Sequence, residues 1–330
     1  MGQYKILILT NPWHKYTKLD PTPTLIDLLL KRDHQVFLTH LSSWVLGTAQ
    51  ISIESQQIHK INLKTLQLKL SPTQNKTVTE FDGLVNYYFD YGYTENYHHF
   101  LVKLSQFENK LKIFNAPTAT MTFSEKTLPQ ALNHFLPFSQ LCFSEHSLQK
   151  IIKNWQKEDL ILKPLGGYGG NSVHCLDINK PRNVEKVFRA LNQNGKPVLV
   201  QEKIIRTSQQ REKRMIFSYG KYLGQYSKIP APGDFRGNIC QGGKVEPSQV
   251  ESYELPLINH LENWGPLRKL WISGIDTLAT KIIEINPMTA VAGIAQICEC
   301  RQPLIDNIEK SIAEFQSVEM GFTQKILQRF

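Results

Sequence analysis

Residues Ile161-Leu-Lys163-Pro164-Leu-Gly166-Gly167-Tyr168-Gly169-Gly170-Asn-Ser172-Val place a cluster of glycines between two short apolar runs. No segment of the chain constrains the fold more. No Gly-Lys-Ser/Thr closes it, so it is not a P-loop. A strand rather than a helix follows it, so it is not a dinucleotide fingerprint either. Strand, tight turn and strand make an antiparallel hairpin, not a crossover. Glycines let the backbone take positive φ and bring N–H groups close to an anion. Lys163 on the incoming strand adds a point charge. Two readings fit: a flap over phosphates, or an ordinary hairpin with a wide turn.

A second hairpin is readable in Trp271 to Thr277 and Lys281 to Ile285. Glu284 and Asn286 are two apart on one strand and share a face. Asp276 on the preceding strand meets that face. Two carboxylates and an amide oxygen form a hard-oxygen set suited to magnesium carried with nucleotide phosphates. Apolar flanks make their burial costly without a metal or partner. A solvent-facing strand side with incidental charges is the alternative. Between the hairpins lies a basic segment, Gln210-Arg211-Glu212-Lys213-Arg214, followed by Lys228-Ile-Pro230 and Asp234-Phe-Arg236-Gly237-Asn238. Its cations suit a transferring phosphoryl group, which needs positioning and charge neutralisation. A solvated basic loop or a nucleic-acid contact would explain them as well.

The start of the chain has a different pattern. Lys5 to Thr10 and Gln35 to Thr39 read as strands around a helix over Leu25 to Leu30, the strand–helix–strand order of an α/β domain. Residues 48–80 are polar and suggest short strands around a mobile excursion. Phe81 to Asn86 and Lys112 to Asn115 are strand-like, and Glu95 to Leu111 is helical. Helices are expected over Ser147 to Lys157, Val184 to Gln193 and Leu304 to Val318. The organisation expected is 1–122, an α/β domain; 123–200, a lid; and 201–330, a unit carrying the metal site. The later two stretches are α+β.

The chain has 330 residues, and 38 Lys and Arg against 29 Asp and Glu give it a net charge of +9. That balance admits nucleic acid, an anionic membrane surface or small anionic ligands. No apolar run approaches the roughly 18 residues of a membrane span, and no nucleic-acid module is evident. Cys142, Cys175, Cys240, Cys298 and Cys300 lack zinc-type spacing and read as free thiols of a reducing cytoplasm.

Taken together these motifs resemble the prokaryotic glutathione synthetase family of the ATP-grasp superfamily. Asn115-Ala-Pro followed by Glu125-Lys126 is similar to the segment whose lysine reaches ATP. The 161–170 segment is similar to the phosphate flap, with Lys163 as second ATP lysine and Gly166, Gly167, Tyr168, Gly169 and Gly170 over the phosphates. Val200 followed by Gln201, Glu202, Lys203 and Ile204 resembles the adenine hinge, where backbone groups read the base. Glu212 falls on the ribose carboxylate and Arg214 on a magnesium- or substrate-side arginine. The stretch ending Arg236-Gly237-Asn238 is similar to the loop over the substrates. Asp276, Glu284 and Asn286 fall on the metal ligands.

The resemblance implies an N-terminal α/β (pre-ATP-grasp) domain and an ATP-grasp fold of two α+β subdomains clasping ATP. It implies a cytoplasmic ligase using ATP with magnesium, two ions expected and manganese an alternative. A carboxylate would be phosphorylated to an acylphosphate and joined to an amine. Arg214, Arg236 and Asn238 are the expected catalytic residues. Tyr87, Asp90, Lys228 and Thr289 are the expected substrate contacts. The partners implied are small molecules, with no nucleic acid and no membrane; a homo-oligomer is left open. Two departures touch the substrate end. The family's Arg-x-Asp-Pro-Pro-x-Asp is here Asn86-Tyr87-Tyr88-Phe89-Asp90-Tyr91-Gly92-Tyr93, and its Thr-Ser-Pro-Thr is Pro287-Met-Thr289-Ala. They point to altered substrates, with the tyrosines shaping a pocket or packing a domain junction. A genuine glutathione synthetase and a non-catalytic nucleotide- or nucleic-acid-binding protein are the alternatives.

Overall fold

The computed structural model describes residues 2–13, 22–88, 95–122, 126, 130–166, 169–205, 210–287 and 301–327. The first unit contains β1 (Lys5–Thr10), α1 (Thr22–Leu30), β2 (Gln35–Thr39), β3 (Trp44–Leu46), β4 (Ile51–Asn62), β5 (Gln67–Leu70), β6 (Gln74–Thr77), β7 (Gly83–Tyr87), α2 (Glu95–Ser105), β8 (Lys112–Phe114) and α3 (Pro117–Thr122). Its main path runs β3-β4-β2-β1-β7-β8, with β5 and β6 both paired to β4. β1 is parallel to β2 and to β7, and β7 is parallel to β8.

The four central residues of β1, Ile6 to Leu9, are all apolar because the strand is covered on both faces. Ile6 and Ile8 pack with Leu25, Ile26 and Leu29 of α1. Leu7 and Leu9 point the other way, to Tyr97, Leu101 and Leu104 of α2. The alternation follows from the two-residue period of a strand. The polar stretch 48–80 does not form a mobile excursion. It supplies β4, a 12-residue strand, with β5 and β6 antiparallel to it. Ile51, Ile53, Ile58 and Ile61 of β4 are all buried, and the polar residues between them masked this pattern.

The second unit holds β9 (Ser139–Cys142), α4 (Glu145–Lys153), β10 (Asp159–Pro164), β11 (His174–Asp177), α5 (Pro181–Leu191) and β12 (Val198–Glu202). Its antiparallel sheet has the order β11-β10-β12-β9 and extends past the boundary expected at 200. The glycine segment is the β10–β11 turn, with Leu162 opposite His174. The third unit holds β13 (Glu212–Ser218), β14 (Lys221–Ile229), β15 (Lys244–Ser248), α6 (Leu255–Asn263), β16 (Ser273–Leu278) and β17 (Lys281–Asn286). These strands form a sheet ordered β15-β14-β13-β16-β17.

The last helix, α7 (Arg301–Leu327), returns to the first sheet. Leu304, Ile305, Ile308 and Ile312 join the cluster of Ile6, Ile8 and Val36. Trp271 Nε1 donates to Leu304 O at 3.2 Å, and Asn307 Nδ2 to Ser218 Oγ at 2.8 Å. The helix therefore ties the third unit to the first.

Candidate active site

The site lies where the β10–β11 hairpin meets the β16–β17 hairpin. Lys163 Nζ crosses from one sheet to the other and donates to Ile283 O at 3.4 Å. The side chain is 3% exposed, and it has no ion-pair partner among the described residues. Burial pushes its ammonium down from the ordinary 10.5 to about 8, against the pull of Glu284 and with the push of Lys126. Lys126 is also buried and donates to Leu165 O at 3.2 Å, at the entry to the glycine turn. Two lysines in one field, one of them without a counter-ion, cost stability unless an anion joins them.

Asp276 and Glu284 are directly opposite across the β16–β17 ladder, and Arg214 is opposite Asp276 across β13–β16. Register therefore sets the constellation. Arg214 donates to Asp276 through Nε and Nη2, both at 2.6 Å. Lys228 Nζ donates to Asp276 Oδ2 and to Glu212 Oε1, each at 2.7 Å. Burial alone would raise the Asp276 carboxyl, but Arg214 and Lys228 outweigh it and hold it at about 2. With its amide turned to satisfy both neighbours, Asn286 donates to Glu284 Oε1 at 2.9 Å and accepts from Arg214 Nη2 at 3.2 Å.

The donor set fits magnesium in its usual mode of one or two carboxylates completed by phosphate oxygens. Among the described residues no group of three or more His, Cys, Asp or Glu is placed to hold a metal alone. Asp276, Glu284 and Asn286 are hard-oxygen donors held together. Asp276 is already engaged by two cations, so it would have to share or exchange Lys228 or Arg214 to reach a metal.

The other expected residues fall into three groups. Gln201, Glu202 and Lys203 have side chains committed elsewhere. Gln201 Nε2 donates to Ser139 Oγ at 2.9 Å, Glu202 Oε1 accepts from Phe138 N at 2.9 Å, and Lys203 Nζ donates to Asp159 Oδ2 at 2.6 Å. Only the backbone of this stretch, where the chain leaves β12 towards Ile204, is left for the expected contact with the base. Arg236 and Asn238 reach the glycine turn, and Gly237 lies against Glu212. Arg236 Nη1 donates to Gly170 O at 2.9 Å, and Gly237 N donates to Glu212 Oε2 at 3.3 Å. Gly166 lies at the start of that turn, and Gly169 and Gly170 adopt φ of 70° and 74°. Gly167, Tyr168, Asp90, Tyr91, Tyr93, Thr289, Glu125, Cys298 and Cys300 lie outside the described residues.

Two of the expected substrate contacts are buried. Tyr87 is 1% exposed, with its ring edge-on to Trp271 at 6.5 Å. It packs the junction of the first and third units, because an inward position at the end of β7 meets the cluster that α7 completes. Lys228 is buried between two carboxylates and holds them in place, because β13–β14 pairing sets Glu212 opposite it. Sequence reasoning missed Asp234 and Gln241. Asp234 grips Arg236, with Oδ2 accepting from Nη2 at 2.7 Å, and Gln241 Nε2 donates to Gly169 O at 3.1 Å. The Asp-x-Arg spacing was the only available signal for the first, and the second had none.

Residues 125–302 match the family model of the prokaryotic glutathione synthetase ATP-grasp domain. The chain belongs to the prokaryotic glutathione synthetase family. The matched stretch contains both hairpins, Lys126 and the basic segment. A glutathione synthetase of Coxiella burnetii is 25% identical over 285 residues, covering 84% of this chain and 86% of that protein. One from Prochlorococcus marinus is 29% identical over 57% of this chain and 60% of its own length. The fold is shared with the D-alanine-D-alanine ligase of Coxiella burnetii, at TM-score 0.64 and 11% identity over 98% of this chain and 100% of that one. This member of the glutathione synthetase family is an ATP-dependent carboxylate–amine ligase, an ATP-grasp enzyme that forms a C–N bond. Among the described residues no helix is long and apolar enough to cross a membrane.

Proposed function

We propose that the chain phosphorylates a small carboxylate to an acylphosphate and couples it to an amine, and that its substrates differ from γ-glutamylcysteine and glycine. The observation that carries the ATP half is Lys163, buried without a counter-ion between a glycine turn and a carboxylate-bearing hairpin. Such a charge is maintained for an arriving anion. Four cations (Lys126, Lys163, Arg214, Lys228) stand against three carboxylates (Glu212, Asp276, Glu284), so the resting site carries a surplus of positive charge. A nucleotide whose charge is partly offset by magnesium matches that surplus.

Lys126 and Lys163 bind phosphate oxygens under the Gly169–Gly170 turn. Backbone groups after Gln201 meet the base, with Glu202, Lys203 and Ile204, and Glu212 meets the ribose. Glu284, Asn286 and Asp276 would hold magnesium, which supplies charge neutralisation at the phosphates. Arg214 and Arg236 face the transferring group, and Asn238 borders it. The substrate carboxylate oxygen forms a bond to the γ-phosphorus as the bond to the ADP oxygen breaks. The amine nitrogen then attacks the acyl carbon and phosphate leaves. No enzyme nucleophile is needed.

The substrate half rests on a missing cation. Where the family carries an arginine after this strand, the chain carries Asn86 and Tyr87, buried at 0% and 1%. Neither offers a positive charge to a substrate carboxylate. A panel of amino acids and dipeptides, scored for amine-dependent ADP release with magnesium, tests both halves. Turnover with γ-glutamylcysteine and glycine at ordinary enzyme rates would overturn the altered-substrate reading and leave a glutathione synthetase. No ADP release with any pair would overturn the ligase reading itself.

A further inference from the structure

Lys228 Nζ stands between two carboxylates that serve different ends of the proposed nucleotide. It donates to Glu212 Oε1 and to Asp276 Oδ2, each at 2.7 Å. Sheet register brings the three together. Lys228 is opposite Glu212 across β13–β14, and Asp276 is opposite Arg214 across β13–β16. Glu212 and Arg214 are alternate residues of β13 and share a face. The ammonium has little freedom, because its side chain is 5% exposed. A Cβ on Gly237 would lie 2.7 Å from Lys228 Cβ and 3.0 Å from Glu212 Oε2, so the chain at Gly237 is packed over the pair. The two carboxylates differ in what else holds them. Asp276 also accepts from Arg214 Nε and Nη2, both at 2.6 Å. Glu212 has Lys228 as its ion-pair partner among the described residues, and beyond it a 3.3 Å hydrogen bond from Gly237 N to Oε2.

We infer that Lys228 is the positioning residue of the ribose carboxylate, Glu212, and that the same ammonium competes with the metal for Asp276. Without the ammonium, Glu212 keeps one long backbone hydrogen bond and regains side-chain freedom. Any contact it makes with ribose hydroxyls must then bear the cost of ordering it. At Asp276 the effect is reversed. Oδ2 already accepts from Arg214 and Lys228, and a carboxylate oxygen has about two acceptor positions. A divalent ion at that oxygen displaces a donor and sits beside a like charge. Removing Lys228 frees the position and removes the repulsion. Loss of this one side chain therefore moves two affinities in opposite directions, which general damage to the fold would not do.

This inference rests on the nucleotide reading above, and one set of titrations separates the two. Calorimetry on the full chain with magnesium compares a non-hydrolysable ATP analogue with its 2′,3′-dideoxy form. Manganese(II) alone, without nucleotide, is titrated by electron paramagnetic resonance. The wild type should prefer the analogue with an intact ribose by about tenfold or more, the worth of hydrogen bonds to a charged group. In Lys228→Met that preference should fall to about threefold or less, while manganese binds about tenfold more tightly or better. Lys228→Arg keeps a cation able to reach both carboxylates and should restore the preference. Lys228→Gln serves if the methionine variant does not fold, and it should show the same gain for manganese. An undiminished ribose preference in Lys228→Met, or manganese bound no more tightly in either neutral variant, overturns the inference and leaves the nucleotide reading standing. A wild type that binds the two analogues equally removes Glu212 from the ribose and the inference with it. A wild type that binds neither analogue overturns the nucleotide reading itself.

Discussion

Replacing Lys163 with methionine should move stability and nucleotide binding in opposite directions. Lys163 is 3% exposed and its described contact is a 3.4 Å hydrogen bond from Nζ to Ile283 O. Burial shifts it from 10.5 to about 8. At about 1.36 kcal/mol per unit, that difference costs the native state about 3 kcal/mol at neutral pH. Methionine fills similar volume without charge, and the lost hydrogen bond returns about 1 kcal/mol. The net expectation is a gain of about 2 kcal/mol. For a lysine with a depressed native value, the cost is fully present below pH 8 and is relieved as pH rises from 8 towards 10.5. Urea unfolding should therefore show wild-type stability rising over that window and the methionine variant missing that rise. Nucleotide binding runs the other way. A lost charged hydrogen bond is worth about 1.5–3 kcal/mol, so calorimetry should show affinity for magnesium and ATP weakened by about tenfold or more at pH 7. Wild-type affinity should also fall as pH rises above 8. A variant that is less stable and binds nucleotide normally would show that Lys163 serves the fold, and the reasoning would be wrong.

Further expectations follow from the same geometry. Glu284→Gln should keep the fold and lower magnesium-dependent ADP release by about a hundredfold, since a neutral amide is a poor ligand; unchanged turnover would remove Glu284 from the metal set. Gly170→Ala should weaken nucleotide binding, because positive φ costs a non-glycine residue about 1 kcal/mol and its Cβ would strike Asn238; unaltered affinity would refute a closed turn. Tyr87→Phe should leave KM for both substrates unchanged, while Tyr87→Ala should cost about 3–5 kcal/mol in urea unfolding; a raised KM in the phenylalanine variant would restore Tyr87 as a substrate contact. Glu309→Ala should cost about 1–3 kcal/mol. His34 Nδ1 accepts from Tyr4 N, so Nε2 carries the proton that Glu309 Oε1 accepts at 3.1 Å, and the loss would strand a buried donor. An unfolding midpoint equal to wild type would refute that pairing.

Much of the site was legible because its chemistry depends on residue type at short spacing. Lys163 before a run of glycines, and Glu284 and Asn286 two apart on a strand, carry their meaning locally. The first parallel strands were legible because a strand covered on both faces is apolar throughout. What escaped was anything whose meaning lay across the chain. The 48–80 stretch hid a strand because polar residues interrupt its buried isoleucines. Asp234 and Gln241 gave little sign because their partners are a neighbouring guanidinium and a turn 70 or so residues away.

The sequence by itself determined which residue types the proposed site can use: glycines for close backbone approach, lysines suited to phosphate and oxygen donors suited to magnesium. These follow from side-chain type and from the two-residue period of a strand, which need no fold to read. Only the tertiary structure decided which charges meet. Register across β13, β16 and β17 sets Arg214, Asp276 and Glu284 side by side. The return of α7 to the first sheet completes the cluster in which Tyr87 packs against Trp271. Burial then turned Lys163 from one of 38 cations into a charge without a counter-ion. Desolvation depends on everything packed around a group, and that is a property of the folded molecule alone.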